Sequence, residues 1–336
     1  DDIFDEIYKF PEKGISSIKI FMAYNGSPLH VDDGSYYRIL ERAGEVGATV
    51  FVHAENGEIL DFLRRECIKK GQTAPKYHYI SRPPFTEAEG VRRAAYLAGK
   101  VGTPVYIAHV TCREALKELI EARGNGVNIN GETCTHYLTI TKDALDNPDF
   151  DEASKYVCSP ALRDQEDIDA LWDALNRGIL TAVSSDHCGI DVAELKQAGR
   201  DDFTQIPNGS PGAGDRFSMI WTYGVETGRI SRKKFVELIA AKPAKINGIF
   251  PQKGTLEVGS DADIVIFDPS WEGTVRLADN PNGVDYNIFE GRKKIGKIEK
   301  VLLRGNIAVD DGKFVGEYGM GRFIRADMHA GCYTGL

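Results

Sequence analysis

The sequence lacks the features of secreted, membrane-spanning and nucleic-acid-binding chains. Its six cysteines are scattered over 336 residues without a CxxC pair, which is typical of reduced thiols rather than of a disulfide framework. It has no run of about 18 apolar residues, so we expect no membrane span. The first ten residues are too acidic for a signal peptide, and the net charge of −9 argues against nucleic-acid and membrane partners. We therefore expect a cytoplasmic protein.

What the sequence does contain is an alternation of short apolar runs and amphipathic, helix-like segments in its first 190 residues. Five strands are predicted, around residues 17–24, 48–53, 103–109, 126–130 and 179–187, and a helix that closes on glycine is predicted over 113–124. Strands separated by helical patterns are typical of βαβ units and a parallel sheet. After residue 250, short β segments with Gly and Asp turns predict a small antiparallel β unit beside the α/β part.

Four ionisable residues lie in or at the ends of the predicted strands. Lys19 lies in the first strand, His53 ends the second, His109 ends the third and Asp186 ends the fifth. The carboxyl ends of the strands of a (β/α) barrel meet on one face, so these side chains are expected to converge. Two imidazoles and a carboxylate suit zinc. A histidine at a strand end is also commonly a hydrogen-bonded structural residue, so the pattern alone leaves both roles open.

Lys19 is the unusual member of this set. It lies within GISSIKIFMAYNG, a strand-like run that we expect to be buried on both faces, where an ammonium group is costly to desolvate. A protonated amine also repels a metal cation. Lys19 therefore fits a metal site only if it is neutralised, or converted by carbon dioxide to a carbamate that could bridge two metals.

Eight segments together resemble the dihydropyrimidinase/hydantoinase branch of the amidohydrolase superfamily. They are SIKIFMAYNG, VFVHAENGEIL, YIAHVTCREAL, NGETCTHYL, CSPALR, SSDHC, IPNGSPGAGDR and KGTLEVGSDADIVIFDP. The resemblance covers nearly the whole chain and implies an α/β fold. Residues 1–250 would form a partial TIM-like (β/α)8 barrel, about strands 4–8. Residues 251–318 would form a β-sandwich portion, and residues 319–336 a C-terminal arm.

The same resemblance implies a binuclear zinc centre. Lys19 corresponds to the carboxylated lysine that bridges the two metals, and His53 and His109 correspond to ligands of the more exposed metal. Asp186 corresponds to a ligand of the more buried metal and to the residue that shuttles the proton.

The resemblance also implies a reaction and the residues that bind the substrate. A hydroxide that bridges the zinc ions would open a dihydropyrimidine or hydantoin ring to an N-carbamoyl amino acid. Tyr24 corresponds to the tyrosine whose hydroxyl stabilises the oxyanion, and Ser159 and Asn208 to positions whose main chain holds the ring amide. Members of the branch are commonly homotetramers, so we expect a homo-oligomer that binds a small cyclic amide, with no nucleic-acid or membrane partner as the net charge already indicates.

One departure from the family pattern is large. The family supplies two further histidines in an HxH motif near the N-terminus, and this sequence contains no HxH. We interpret the chain as N-terminally truncated, starting just before the fourth barrel strand. The more buried metal would then keep only Lys19 and Asp186, and we expect the chain alone to be inactive.

Two other functions remain open at the level of sequence. One is an allantoinase-like hydrolysis of a cyclic ureide, and the other is a non-catalytic scaffold like the collapsin-response-mediator proteins. The presence of all four candidate ligands argues against the scaffold. His136 and His187 are expected to be structural or to support ligands, and a zinc-binding role is not expected for Cys112, Cys134 or Cys188.

Overall fold

Two β-sheets organise the chain, and the computed structural model describes them within residues 3–328. The first sheet is parallel, with its strands in sequential order β1 to β5. The second is antiparallel, in the order β6 to β9. The strands are β1 Ser17–Phe21, β2 Thr49–His53, β3 Val105–Ile107, β4 Ile129–Cys134, β5 Ala182–Ser184, β6 Ile264–Thr274, β7 Lys293–Leu303, β8 Asn306–Asp310 and β9 Lys313–Phe314.

Helices connect the strands of the parallel sheet. Across residues 3–328 the α-helices are α1 Phe10–Lys13, α2 Asp33–Val46, α3 Gly57–Lys69, α4 Tyr77–Ile80, α5 Pro84–Val101, α6 Arg113–Gly124, α7 Phe150–Ser154, α8 Gln165–Arg177, α9 Arg216–Ile220, α10 Arg232–Val236 and α11 Lys242–Ile246. π-Helical turns extend α9 and join α10 to α11, at Trp221–Val225 and Glu237–Ala241. None of the described helices has the length and apolar character needed to cross a membrane.

The helix boundaries follow signals in the sequence. Asp32 caps α2 by accepting a hydrogen bond from the Ser35 amide, and Gly47 ends that helix in the left-handed conformation. Asn56 caps α3 in the same way, through the Ile59 amide. The helix predicted over 113–124 is found with those bounds.

Strand register places the chemistry at one edge of the parallel sheet. Lys19 pairs with Phe51, and Phe21 pairs with His53. The alternate residues of β2, Val50 and Val52, are buried in the main core cluster. Since successive side chains of a strand point to opposite faces, His53 shares the other face with Lys19 and Phe51.

The predicted α/β character and parallel sheet are confirmed. The prediction for the fourth strand was displaced, because β4 covers Ile129–Cys134 rather than 126–130. The sequence NGETC is poor in β-formers, but Gly131 allows close packing: a Cβ there would lie 2.9 Å from Leu119 Cδ1. The strands of the parallel sheet follow one another as consecutive barrel strands do. The partial barrel, the β-sandwich portion and the domain bounds stay predictions, and residues 329–336 of the predicted arm lie outside the described range.

Helix α5 lies directly against the backbone that follows β2, and this contact can be tested. A Cβ on Gly90 would lie 2.5 Å from the Ala54 carbonyl carbon, whereas one on Gly124 of α6 meets nothing within 4 Å. We expect Gly90→Ala to lower the free energy of unfolding by about 1–3 kcal/mol through overpacking. Gly124→Ala, the control, should be neutral or stabilising by up to about 1 kcal/mol. Urea unfolding measures both; equal effects would contradict the close approach.

Candidate functional site

Two histidines form the centre of the candidate site. His53 is the last residue of β2, and His109 follows β3 by two residues, so parallel pairing brings both to the same edge. Nδ1 of His53 lies 3.0 Å from Nε2 of His109, and both side chains are buried. Burial lowers the pKa of both imidazoles, which favours the neutral form that binds metals.

A buried ion pair fixes the orientation of the His53 ring. The second ring nitrogen of His53, Nε2, lies 2.7 Å from a Glu55 carboxylate oxygen, which also accepts a hydrogen bond of 2.9 Å from Arg82. Burial alone would raise the pKa of the Glu55 carboxyl, but Arg82 and the His53 hydrogen bond lower it to about 2. Glu55 is therefore ionised at neutral pH and holds Nε2–H, which leaves the Nδ1 lone pair directed at His109.

A second buried ion pair lies beside the first. Arg163 pairs with Glu87 at 3.0 Å and also donates to the main-chain carbonyl of Arg82. Glu87 in turn accepts hydrogen bonds from the amide and the hydroxyl of Thr111, two residues after His109. Hydrogen bonds, with Arg82 itself as the covalent link between the two ion pairs, thus connect His53 to the loop that carries His109.

Lys19 and Asp186 lie close enough to affect each other electrostatically. Surrounding protein lowers the pKa of the Lys19 amine, with Asp186 and Glu132 acting in the opposite direction. Burial raises the pKa of the Asp186 carboxyl, while Lys19 and His53 lower it. The expectation that Lys19 is buried on both faces was wrong: its side chain keeps accessible surface, because nothing described covers this part of the sheet face. The lowered pKa nevertheless favours the neutral amine, the form that reacts with carbon dioxide.

Three of the predicted site residues have backbones in the left-handed region. Tyr24 has φ 67°, His109 has φ 41° and Asp186 has φ 43°. Residues other than glycine adopt this conformation at a cost, and such residues concentrate at functional sites. All three follow a strand by two or three residues, so the strained turns direct these side chains away from the regular alternation of the sheet.

Of the residues predicted to bind substrate, Tyr24 lies beside the histidines. The Tyr24 ring centroid is 5.4 Å from that of His53, and burial raises the pKa of the phenol so that it stays protonated. Among the described residues the buried Ser159 hydroxyl has no hydrogen-bond partner, but it is near enough to Tyr24 to act against the effect of burial on that pKa. Asn208 is half-buried, and its neighbour Gly209 donates a 3.0 Å amide hydrogen bond to Val157.

The sequence analysis missed Glu132, a buried carboxylate of β4. It accepts hydrogen bonds from Ser184 at 2.9 Å and from Tyr106 at 3.3 Å. Burial raises the pKa of this carboxyl, and Lys19 lowers it. Glu132 lies in NGETC, beyond the strand we predicted at 126–130, so its place in a strand was not recognised. An acidic residue inside a strand of a parallel sheet is the signal that could have identified it.

The imidazole nitrogens of the two histidines are suitable ligands for one zinc ion. Two nitrogens bound tetrahedrally to one zinc at about 2.1 Å each lie about 3.4 Å apart, and the observed separation of 3.0 Å is a little shorter. A ligating imidazole commonly gives its other N–H to a carboxylate, as His53 does to Glu55. Within residues 3–328, no three His, Cys, Asp or Glu side chains form a cluster that could hold a metal.

The other candidates behave as structural groups. His136 is buried after β4, and burial lowers its pKa to about 3. His187 is exposed and accepts a 3.3 Å hydrogen bond from the Gly212 amide. Cys112, Cys134 and Cys188 are free thiols whose pKa values are raised by burial, so all three favour the protonated form, which is a poor metal ligand.

Known proteins resemble this chain over most of its length. The amidohydrolase family model matches residues 18–308, from β1 through β8. The chain belongs to the amidohydrolase family. A D-hydantoinase from Ralstonia pickettii is 48% identical over 325 residues, covering 97% of this chain and 70% of the relative. A D-hydantoinase from Geobacillus stearothermophilus is 44% identical, with 97% and 69% covered. The predicted resemblance is confirmed. The identity to D-hydantoinases shows that this chain is a cyclic amidohydrolase.

Solved structures of the family share the fold of this amidohydrolase. A D-hydantoinase structure superimposes with a TM-score of 0.95 at 47% identity, covering 97% of this chain and 71% of that one. A dihydropyrimidinase from Brevibacillus agri gives 0.95 at 44% identity, with 98% and 71% covered. An L-hydantoinase from Arthrobacter aurescens gives 0.89 at 30% identity, with 96% and 71% covered.

The pairing of Glu55 with Arg82 can be tested by removing one partner. Arg82→Met leaves the buried carboxylate with only His53, and we expect it to lower the free energy of unfolding by about 3–5 kcal/mol. Arg177→Met breaks an exposed pair with Asp173 on α8, and should change stability by no more than about 0.5 kcal/mol. Urea unfolding of both variants gives the comparison. Similar small losses would mean that Arg82 does not compensate the Glu55 charge.

Proposed function

We propose that this amidohydrolase opens a hydantoin or dihydropyrimidine ring to an N-carbamoyl amino acid at a zinc centre. The observation that carries the proposal is the 3.0 Å approach of His53 Nδ1 to His109 Nε2, with Glu55 holding the other nitrogen of His53. Similarity to D-hydantoinases over 97% of the chain supports this choice of substrate class. A cytoplasmic homotetramer stays a prediction.

The chain's own residues would hold the metal as follows. His53 and His109 supply neutral nitrogens for one zinc, and Asp186 would supply a carboxylate for a second. The Lys19 amine, once deprotonated, attacks carbon dioxide, forms a nitrogen–carbon bond and releases a proton, which converts a cation into an anionic ligand. Zinc, when bound, provides an ionised water at neutral pH and polarises a carbonyl group.

The remaining residues would act directly on the substrate. The Tyr24 hydroxyl, kept protonated by its raised pKa, donates a hydrogen bond to the carbonyl oxygen as that oxygen gains charge. Asp186, whose raised pKa makes it a better base, accepts the proton of the attacking water and passes it to the leaving ring nitrogen. The main chain at Ser159 and Asn208 holds the ring amide.

Removal of the Tyr24 hydroxyl tests the oxyanion role. Tyr24→Phe should lower kcat for hydantoin by about 10²–10³-fold, because one oxyanion donor is lost. Tyr37→Phe is the control, since Tyr37 is a partly exposed residue of α2 away from the site. The rates are measured in the complete gene product that carries this sequence. A Tyr24→Phe enzyme with unchanged kcat would contradict the assignment.

Zinc binding tests the metal ligands in the 336-residue chain itself. With Lys19, His53 and His109 present, we expect the chain to bind one zinc ion and Lys19 to gain the mass of one carbon dioxide. His109→Ala should lose the zinc, whereas His187→Ala, which changes an exposed histidine, should keep it. Metal analysis and mass spectrometry measure these outcomes, and zinc retained after His109→Ala would contradict the site.

The same 336-residue chain is expected to hydrolyse little or no dihydrouracil. The sequence has no HxH motif, so only Lys19 and Asp186 would remain for a second metal. Steady-state assay of the zinc-loaded chain tests this expectation, and robust turnover would show that a second histidine pair is unnecessary.

A further inference from the structure

Lys196 is a fully buried lysine that the reaction described above does not use. It lies in the short helical turn Lys196–Gly199 and has no accessible surface. Its Nζ donates hydrogen bonds to three main-chain carbonyls: Gly209 at 2.9 Å, Val157 at 3.3 Å and Pro207 at 3.4 Å. An ammonium group has three N–H donors, so this geometry uses all of them.

The environment of Lys196 contains no compensating carboxylate. Within residues 3–328, no carboxylate pairs with its Nζ, whose hydrogen bonds all go to these carbonyls, and the Tyr286 ring centroid is 6.0 Å away. Burial lowers the pKa of Lys196 to about 8, so the ammonium form still predominates at neutral pH. A charge buried without a partner is costly. The three carbonyl dipoles are therefore what stabilise it.

The three carbonyls belong to the two segments predicted to bind the substrate. Val157 lies two residues before Ser159, and Pro207 and Gly209 lie on either side of Asn208. The segments also contact each other directly, because the Gly209 amide donates to the Val157 carbonyl at 3.0 Å. Lys196 thus contacts the main chain immediately around both substrate positions.

This junction continues to the loop that carries Asp186. The Cys188 amide donates a 3.0 Å hydrogen bond to the Ser210 carbonyl. Gly209 has φ 128°, and a Cβ there would lie 2.4 Å from the Cys188 sulfur, so the two segments are in tight contact. A shift of the segment at Asn208 would therefore also disturb the turn after Asp186.

We propose that Lys196 is a positioning residue that clamps the Val157–Ser159 and Pro207–Gly209 segments together. By fixing the distance between the two segments, Lys196 keeps their main-chain groups at the separation that binds a cyclic amide. This proposal rests on the proposed function for the identity of the substrate segments. Lys196 touches neither the substrate nor the metal ligands. Its effect comes through the main chain, where small displacements of binding groups strongly affect substrate affinity.

Hydrogen exchange tests the clamp in the 336-residue chain without requiring activity. Lys196→Met preserves length and removes all three donors, so amides in peptides covering 157–162 and 207–212 should exchange about tenfold faster or more. The α6 peptide, residues 113–124, should be unchanged. Leu119→Ala, which removes a buried side chain of α6, is the control and should leave both segments protected. Unchanged exchange in both segments of Lys196→Met would overturn the proposal.

Kinetics in the complete gene product tests the role in substrate binding. Lys196→Met should raise KM for hydantoin about tenfold while kcat stays within about threefold, because ground-state and transition-state binding weaken together. Lys196→Gln keeps two donors and should be intermediate; it also replaces the Met variant if that variant does not fold. Loss of kcat with unchanged KM would overturn the positioning role. Absence of hydrolysis by the wild type would instead contradict the proposed function. The hydrogen-exchange result would still show whether Lys196 holds the two segments together.

Discussion

The buried carboxylate of Glu55 is the group on which the candidate site depends. It holds the Nε2 of His53 at 2.7 Å and pairs with Arg82 at 2.9 Å. Without this acceptor, His53 would have no fixed tautomer, and its Nδ1 would not be held toward His109. A carboxylate in this position is stable only because Arg82 and His53 offset the loss of hydration. Gly90 of α5 allows the backbone at Glu55 to pack closely against the helix.

The buried ion pairs at this edge of the sheet hold the histidine rings in one orientation rather than raise the stability of the fold. The Arg163 guanidinium donates a hydrogen bond to the main-chain carbonyl of Arg82, and each arginine pairs with a separate buried glutamate. Replacing such pairs by apolar residues is often neutral for stability, whereas removing one member is costly. The orientation of both histidines is thus coupled. Lys196 extends the same principle to the two segments proposed to bind substrate, with carbonyl dipoles in place of carboxylates.

Much of the fold was accessible from local pattern, and the exceptions have physical causes. Helix α6 was predicted with its observed bounds, because its apolar spacing and C-terminal glycine are local signals. The predicted position of β4 was displaced because Gly131 and Glu132 are poor strand formers by sequence. Their tertiary neighbours Leu119, Tyr106 and Ser184 make them acceptable there. The burial predicted for Lys19 was wrong, because an apolar run indicates a strand but not whether both of its faces are covered.

The sequence by itself determined the family, the order of the elements and the residue types at the strand ends. These depend on periodicity and on motifs of a few residues, which can be recognised without knowing which distant residues are in contact. Only the tertiary structure decided that His53 and His109 touch, that Glu55 orients one of them, and that Lys196 joins two distant segments. Each of these contacts joins side chains or main chain through register, strained turns and burial. Such features follow from packing in three dimensions, and no local pattern specifies them.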